Sequence, residues 1–123
     1  HEWCFYCWRE GAAHRFFGPN NVPDLWHVKK VSPQKMRHLT EKPVELAVRA
    51  MQYSSLAGEN VLDLFAGSGS TLIAAEQTGR RAILMEIDPL YCDTIVQRFE
   101  NFTGKKAERQ MTIAEREPAE ARQ

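Results

Sequence analysis

A chain of 123 residues that is 43% hydrophobic and 26% charged has the composition of one globular domain. Its 16 basic and 16 acidic side chains give a formal net charge of +0, so no global basic field points to nucleic acid or membrane. Three cysteines without a repeating spacing argue against a disulfide framework, and we expect a reducing, cytoplasmic environment.

The first predicted element is a strand at the N-terminus. Residues 1–9, HEWCFYCWR, are apolar on both alternating faces, which is typical of a strand covered on both sides. Residues 18–35 contain three prolines and two asparagines and read as loop, in which Trp26 and Val28 form a short strand or an anchor. Because the chain opens at His1 inside the strand-like run, we expect it to be a piece of a longer protein.

A helix is predicted next, over residues 40–54. Thr40 is a suitable cap and Pro43 suits the first turn. One apolar stripe runs along this segment, made of Val44, Val48 and Met51.

The centre of the chain predicts a strand–helix–strand unit. Residues 61–65 and 81–87 are short apolar runs typical of buried strands, and the helix between them starts at Ser70 and stops at Gly79. A right-handed crossover makes the two strands parallel, so the fold class is α/β.

A last helix is predicted from Asp88 and Pro89, an N-cap and first-turn pair, to about Gly104. Beyond it charge rises and apolar residues thin out. We therefore expect one domain over residues 1–106 and a polar tail, frayed or disordered, over residues 107–123.

The turn after the first central strand is rich in small residues. Gly67 and Gly69 allow a sharp turn and close approach of a ligand, and the helix opening at Ser70 directs N–H groups to the same place. Glu86 ends the second strand near the offset at which an acidic residue binds ribose hydroxyls. This pattern predicts a nucleotide site; the alternative is a turn that only connects two elements.

Two nucleotide-binding motifs are excluded because the turn does not contain their characteristic residues. A dinucleotide fingerprint has a third glycine where this chain has Leu72, and a P-loop has a lysine, which does not follow Gly69. The turn therefore suits an adenosine ligand without a pyrophosphate, and S-adenosylmethionine is the leading candidate.

Three stretches together resemble the C-terminal part of DNA amino-methyltransferases acting on adenine N6 or cytosine N4. They are HLTEKPVEL (38–46), NVLDLFAGSGST (60–71) and GRRAILMEIDPLYCDTIVQRFENFTG (79–104). Their order is similar to the permuted class, in which the catalytic motif precedes the cofactor motif. Leu39 stands where that family usually has proline.

The resemblance implies a partial Rossmann-like methyltransferase fold, S-adenosylmethionine as cofactor and DNA as the partner of the parent enzyme. In that family Thr40 and Lys42 would hold the carboxylate end of the cofactor, Glu86 the ribose and Ile87 the adenine; the plainer alternatives are a helix cap for Thr40 and a solvated side chain for Lys42. The cofactor residues that it implies are Thr40, Lys42, Pro43, Asp63, Phe65, Ala66, Gly67, Ser68, Gly69, Ser70, Glu86 and Ile87.

No catalytic residue is assigned. The family's catalytic tetrapeptide is [D/N/S]-P-P-[Y/W/F], and the nearest string here is DPLY at residues 88–91, which lacks the second proline and follows directly on the cofactor strand. Helix capping explains Asp88 and Pro89. We expect the catalytic motif to lie upstream and the isolated chain to be inactive.

Two further sets of residues are candidates for binding a metal ion or DNA. Cys4 and Cys7 have metal-ligand spacing, but on a strand they face opposite ways, so we expect buried thiols and no metal. The cations of the central loop either meet DNA phosphates or form a solvated loop: Lys29, Lys30, Lys35 and Arg37.

The combined reading is the cofactor-binding portion of a site-specific DNA methyltransferase of a restriction-modification, phage or regulatory system. The alternatives are a methyltransferase fragment acting on RNA or a small molecule, a non-catalytic adenosine-binding or assembly module, and, most weakly, a dinucleotide oxidoreductase. An open sheet edge also predicts a homodimer through the aromatic residues Trp3, Phe5, Tyr6 and Trp8.

Overall fold

The computed structural model describes residues 1–30, 32 and 42–110. Within these ranges it has three helices and two strands. In chain order they are α1 (Val44–Ser54), β1 (Asn60–Asp63), α2 (Ser70–Thr78), β2 (Arg81–Leu84) and α3 (Pro89–Thr103). The alternation of helices and strands confirms the predicted α/β class.

Strands β1 and β2 pair in parallel, with Asn60 opposite Arg81 and Asp63 opposite Leu84. This confirms the predicted β1–α2–β2 unit. Both strands are shorter than predicted, β1 ending at Asp63 and β2 at Leu84. In β1 the Asp63 carboxylate accepts the N–H of Phe65 at 2.9 Å and turns the backbone there.

The helix boundaries follow local sequence signals. Pro43 lies just before α1 rather than in its first turn, because its ψ of 134° is extended. Gly79 ends α2 with φ at +68°, as predicted. The Asp88 carboxylate accepts the Leu90 N–H at 2.9 Å, and Pro89 opens α3, which confirms that capping accounts for the first half of DPLY.

Helix α1 packs along α2, and the core lies between them. Met51 of α1 is buried against Ala74 and Ala75 of α2. Val44 and Val48 pack beside them, so the predicted apolar stripe of α1 is confirmed.

The central sheet has one covered and one open face within the described residues. Val61 and Ala82 pack against the core, whereas side chains on the alternate positions are exposed. Those exposed side chains are Leu62, Leu64, Ile83 and Met85. Parallel strands are normally covered on both faces, so an apolar surface is left open here.

The predicted N-terminal strand is wrong. Residues 1–9 join no ladder in the described part of the chain, and Trp3 and Phe5 are 82% and 83% exposed. A strand forms only beside a partner, and the chain instead turns where the Ala12 N–H donates to the Arg9 carbonyl at 3.0 Å.

Aromatic contacts attach residues 16–26 to α1. The rings of Phe16 and Trp26 meet the ring of Tyr53 at centroid distances of 5.4 and 5.7 Å. The guanidinium of Arg49 lies 4.9 Å from the Trp26 ring. Trp26 is therefore an anchor, which was one of its two predicted roles.

Several predictions concern residues outside the described ranges. Thr40, Lys35 and Arg37 are among them, as are residues 111–123 of the expected tail. The boundary between domain and tail stays a prediction. Over the ranges that the structure covers, no helix has the length and apolar character needed to cross a membrane.

Candidate functional site

The glycine turn between β1 and α2 has the backbone geometry that only glycine adopts easily. Gly67 and Gly69 have φ values of +54° and +80°. A Cβ placed on Gly69 would lie 3.1 Å from a side-chain carbon of Ile95 in α3. The turn closes through a hydrogen bond of 2.8 Å from the Gly69 N–H to the Ala66 carbonyl. Both the dihedral angle and the close packing therefore favour glycine at position 69.

Glu86 lies beside this turn, as predicted, although β2 ends two residues before it. Its Oε2 accepts the Gly67 N–H at 2.7 Å. Its Oε1 accepts the N–H groups of Ile87 and Asp88, both at 3.0 Å. Three backbone donors thus hold the negative charge of this half-buried carboxylate at the edge of the glycine turn.

Asp63 braces the other end of the turn. Its Oδ1 accepts the Phe65 N–H, and its Oδ2 accepts the hydroxyl of Thr71 at 2.6 Å. Because Thr71 lies in the first turn of α2, this pair of bonds connects the end of β1 to the start of the helix. Thr71 was not singled out from the sequence, although it directly follows the glycine-rich stretch.

Two large apolar side chains are exposed where the neighbouring strands end. Phe65 follows β1 and is 88% exposed, and Ile87 follows β2 and is 99% exposed. Since β1 and β2 are parallel, both residues come after the carboxyl ends of their strands, where open α/β sheets bind ligands. They provide apolar surface next to the polar groups of Glu86 and the glycine turn.

The Lys42 segment also reaches this site. The Ser70 hydroxyl donates to the Lys42 carbonyl at 2.8 Å, which places Lys42 at the start of α2. The Lys42 ammonium donates to both oxygens of Glu2, at 2.6 and 2.5 Å. The hydrogen bond and charge of Lys42 lower the pKa of the Glu2 carboxyl below its ordinary value. Sequence reasoning did not foresee this pair, whose members lie 40 residues apart.

Of the twelve predicted cofactor residues, the structure describes all except Thr40. Lys42, which precedes the turn in the sequence, and Glu86, which follows it, both contact residues of the turn or of the helix start beside it. Arg98 of α3 also contacts the turn, through the Ser68 carbonyl at 3.0 Å, and was missed. The sequence feature that could have indicated Arg98 is its position three residues after Ile95, which places both residues on one face of the helix.

The cysteine prediction needs correction. Cys4 and Cys7 are exposed free thiols, not buried ones, because the segment that carries them is not covered by a sheet. In the described ranges no three residues among His, Cys, Asp and Glu gather into a group that could hold a metal ion.

Comparison with known proteins identifies relatives of the chain. The model of the DNA methylase family matches residues 3–97. The chain is 34% identical over 98 residues to the DNA adenine methyltransferase YhdJ of Escherichia coli (strain K12), covering 80% of this chain and 33% of YhdJ. It is 33% identical over 107 residues to the type II methyltransferase M.BamHI of Bacillus amyloliquefaciens, covering 80% of this chain and 25% of that one.

Solved structures resemble the fold as well. The M1.HpyAVI–SAM complex superposes with a TM-score of 0.60 at 28% identity, over 68% of this chain and 43% of that chain. A putative DNA modification methylase of Thermus thermophilus, crystallised with S-adenosyl-L-methionine, superposes with a TM-score of 0.50 at 45% identity, over 54% of this chain and 28% of that one. This confirms the partial methyltransferase fold. Since the family model matches most of its length, the chain belongs to the DNA methylase family.

Proposed function

We propose that this chain is the S-adenosylmethionine-binding portion of a DNA methyltransferase that modifies an exocyclic amine, adenine N6 or cytosine N4. The observation that carries the proposal is the Glu86 carboxylate fixed against the Gly67 N–H at 2.7 Å, at the carboxyl end of the parallel strand pair. Two structural relatives are complexes with this cofactor.

The residues present fit the chemical groups of the cofactor. Glu86 would accept hydrogen bonds from the ribose hydroxyls, and the exposed side chain of Ile87 would contact adenine. At Gly67 and Gly69 the glycine turn carries no side chains, so the methionine part could approach its backbone beside Glu86. Lys42 would meet the carboxylate of the methionine part in place of Glu2. When bound, S-adenosylmethionine supplies a methyl group already activated by its sulfonium.

The remaining predicted cofactor residues would act through the backbone and the shape of the site. Asp63 holds the strand end in place through Phe65 and Thr71. Phe65 itself adds exposed apolar surface, and Pro43 sets the entry into α1. Ala66, Ser68 and Ser70 shape the turn, while Thr40 would help to hold the carboxylate end.

The chain spans a third or less of the length of YhdJ and M.BamHI, and we propose that activity of the whole enzyme needs further chain. We infer that the catalytic motif precedes the cofactor motif, as in the permuted class, that the parent enzyme acts on DNA in the cytoplasm, and that residues 1–106 form its cofactor-binding portion. The chain alone would then bind cofactor without methylating DNA.

Isothermal titration calorimetry tests the proposal directly. We expect the chain to bind S-adenosylmethionine or its demethylated product with one site, and to bind NADH more weakly, because Leu72 replaces the glycine of a dinucleotide turn. Titration of both ligands under the same conditions is the measurement. Tighter binding of NADH would contradict the proposal, as would no binding of S-adenosylmethionine.

Self-association is a second expected property. The open sheet face and the exposed Trp3 and Phe5 present apolar surface to solvent, a feature that marks interaction sites, so we propose a two-fold dimer. Light scattering over a dilution series should show an apparent mass that rises with concentration, and Trp3→Glu should shift the series toward monomer. Glu76→Gln, on exposed α2 surface, is the matched control. A monomer at all concentrations, indifferent to Trp3→Glu, would contradict this.

A further inference from the structure

Arg98 of α3 binds the glycine turn through its guanidinium group. Its Nη1 donates to the Ser68 carbonyl at 3.0 Å and to the Ser68 hydroxyl at 3.1 Å. Ser68 is only 4% exposed, so water has little access to these groups. A buried carbonyl needs a donor, and Arg98 supplies one that carries a full charge.

The contact determines how one peptide unit of the turn is oriented. The Ser68 carbonyl is bound by Arg98, and the N–H of the same unit, on Gly69, donates to the Ala66 carbonyl at 2.8 Å. Because a trans peptide is planar and its C=O and N–H point in opposite directions, these two bonds hold it at both ends. Gly69 itself does little to restrict the orientation of this peptide, since glycine accepts many backbone conformations.

Arg98 also connects the turn to the segment that precedes α1. The Ser70 hydroxyl lies 3.4 Å from Arg98 Nη1 and donates to the Lys42 carbonyl at 2.8 Å. Three distant parts of the sequence are therefore linked: Arg98 of α3 contacts the start of α2 directly, and the Ser70 hydroxyl continues the link to the Lys42 segment.

We propose that Arg98 is a positioning residue for the S-adenosylmethionine site, which holds the Ser68–Gly69 peptide in the orientation that the cofactor meets. The part concerning the cofactor rests on the proposed function. The ordering of the turn is a property of the chain without ligand. The two parts can therefore be tested separately.

The ordering of the turn is tested by amide hydrogen exchange of the ligand-free chain. Arg98→Met keeps an unbranched side chain but removes the donors, and we expect exchange at Gly69 to quicken about tenfold, the effect of losing a charged hydrogen bond. Arg80→Met is the matched control, because Arg80 donates to the Thr78 and Ser55 carbonyls at 2.5 and 2.6 Å at the far end of α2. Unchanged exchange at Gly69 in Arg98→Met would overturn the proposal.

The effect on the cofactor is tested by calorimetry with S-adenosylmethionine. We expect Arg98→Met to weaken binding about tenfold and Arg80→Met to leave affinity unchanged while lowering the melting temperature. Wild-type affinity in Arg98→Met would overturn the positioning role. Absence of binding by the wild-type chain would instead overturn the proposed function, and with it the cofactor part of this inference.

A conservative variant keeps the test decisive if Arg98→Met does not fold. Lysine carries the charge but has one nitrogen and cannot reproduce the planar donor group, so Arg98→Lys should fold and bind severalfold more weakly than wild type. Wild-type affinity and wild-type exchange at Gly69 in Arg98→Lys would then contradict the proposal.

Discussion

Replacing Glu86 with alanine is expected to weaken the binding of S-adenosylmethionine by about 1–3 kcal/mol, the usual range for lost charge-assisted hydrogen bonds. Two effects act together. The ribose hydroxyls would lose their acceptor, and the N–H groups of Gly67, Ile87 and Asp88 would lose the carboxylate that holds them. In calorimetry this corresponds to a dissociation constant roughly 5- to 150-fold higher.

Two variants separate these effects from a general loss of charge. Glu76→Ala removes a carboxylate from exposed α2 surface and should leave affinity unchanged. Glu86→Gln keeps one acceptor oxygen but turns an NH₂ group toward backbone donors, so its affinity should fall between those of wild type and Glu86→Ala. Equal affinity in wild type and Glu86→Ala would show that Glu86 does not bind the ribose.

Replacing Gly69 with alanine is expected to lower both the free energy of unfolding and the affinity for S-adenosylmethionine. The left-handed backbone at φ +80° costs a non-glycine residue about 1–2 kcal/mol. The new Cβ would also lie 3.1 Å from a side-chain carbon of Ile95, so the Ile95 side chain or the turn must move by a few tenths of an ångström. Urea denaturation measures the first effect and calorimetry the second, which we expect to exceed about tenfold because the turn is displaced.

Gly58→Ala is a matched control for this substitution. Gly58 has a similar φ of +83°, but no atom lies within 4 Å of the position of its Cβ. Its alanine variant should lose stability through backbone strain alone and keep full affinity. A further variant, Gly69→Ala with Ile95→Ala, removes the crowding and should recover part of the affinity. If Gly69→Ala bound the cofactor as tightly as Gly58→Ala, close packing at the turn would not matter for binding.

Local signals explain why much of the geometry of the candidate site was predictable. Glycines at Gly69 and Gly79 coincide with positive φ values, and Asp88 caps α3 through its own carboxylate. Each of these features depends on a few neighbouring residues, because capping and turn preferences act over one helical turn or less. Predicting that Glu86 lies near Gly67 required one further inference, namely that β1 and β2 pair in parallel.

The prediction of an N-terminal strand was wrong because a strand needs a partner strand as well as a suitable local pattern. Residues 1–9 have the alternating apolar pattern of a strand, but the described part of the chain pairs nothing with them, and the pattern alone cannot supply a partner. The burial of Cys4 and Cys7 was inferred from that strand and was wrong with it.

By itself, the sequence determined the β1–α2–β2 unit, the glycine turn and the acidic residue beside it, because periodicity and turn chemistry are encoded over short stretches. Only the tertiary structure decided which distant side chains contact the candidate site. Arg98 reaches Ser68 across 30 residues, and Lys42 reaches Glu2 across 40. Such contacts depend on how helices and loops pack around the turn. The residues next to a charged side chain in the sequence do not indicate which distant carbonyl or carboxylate it will contact.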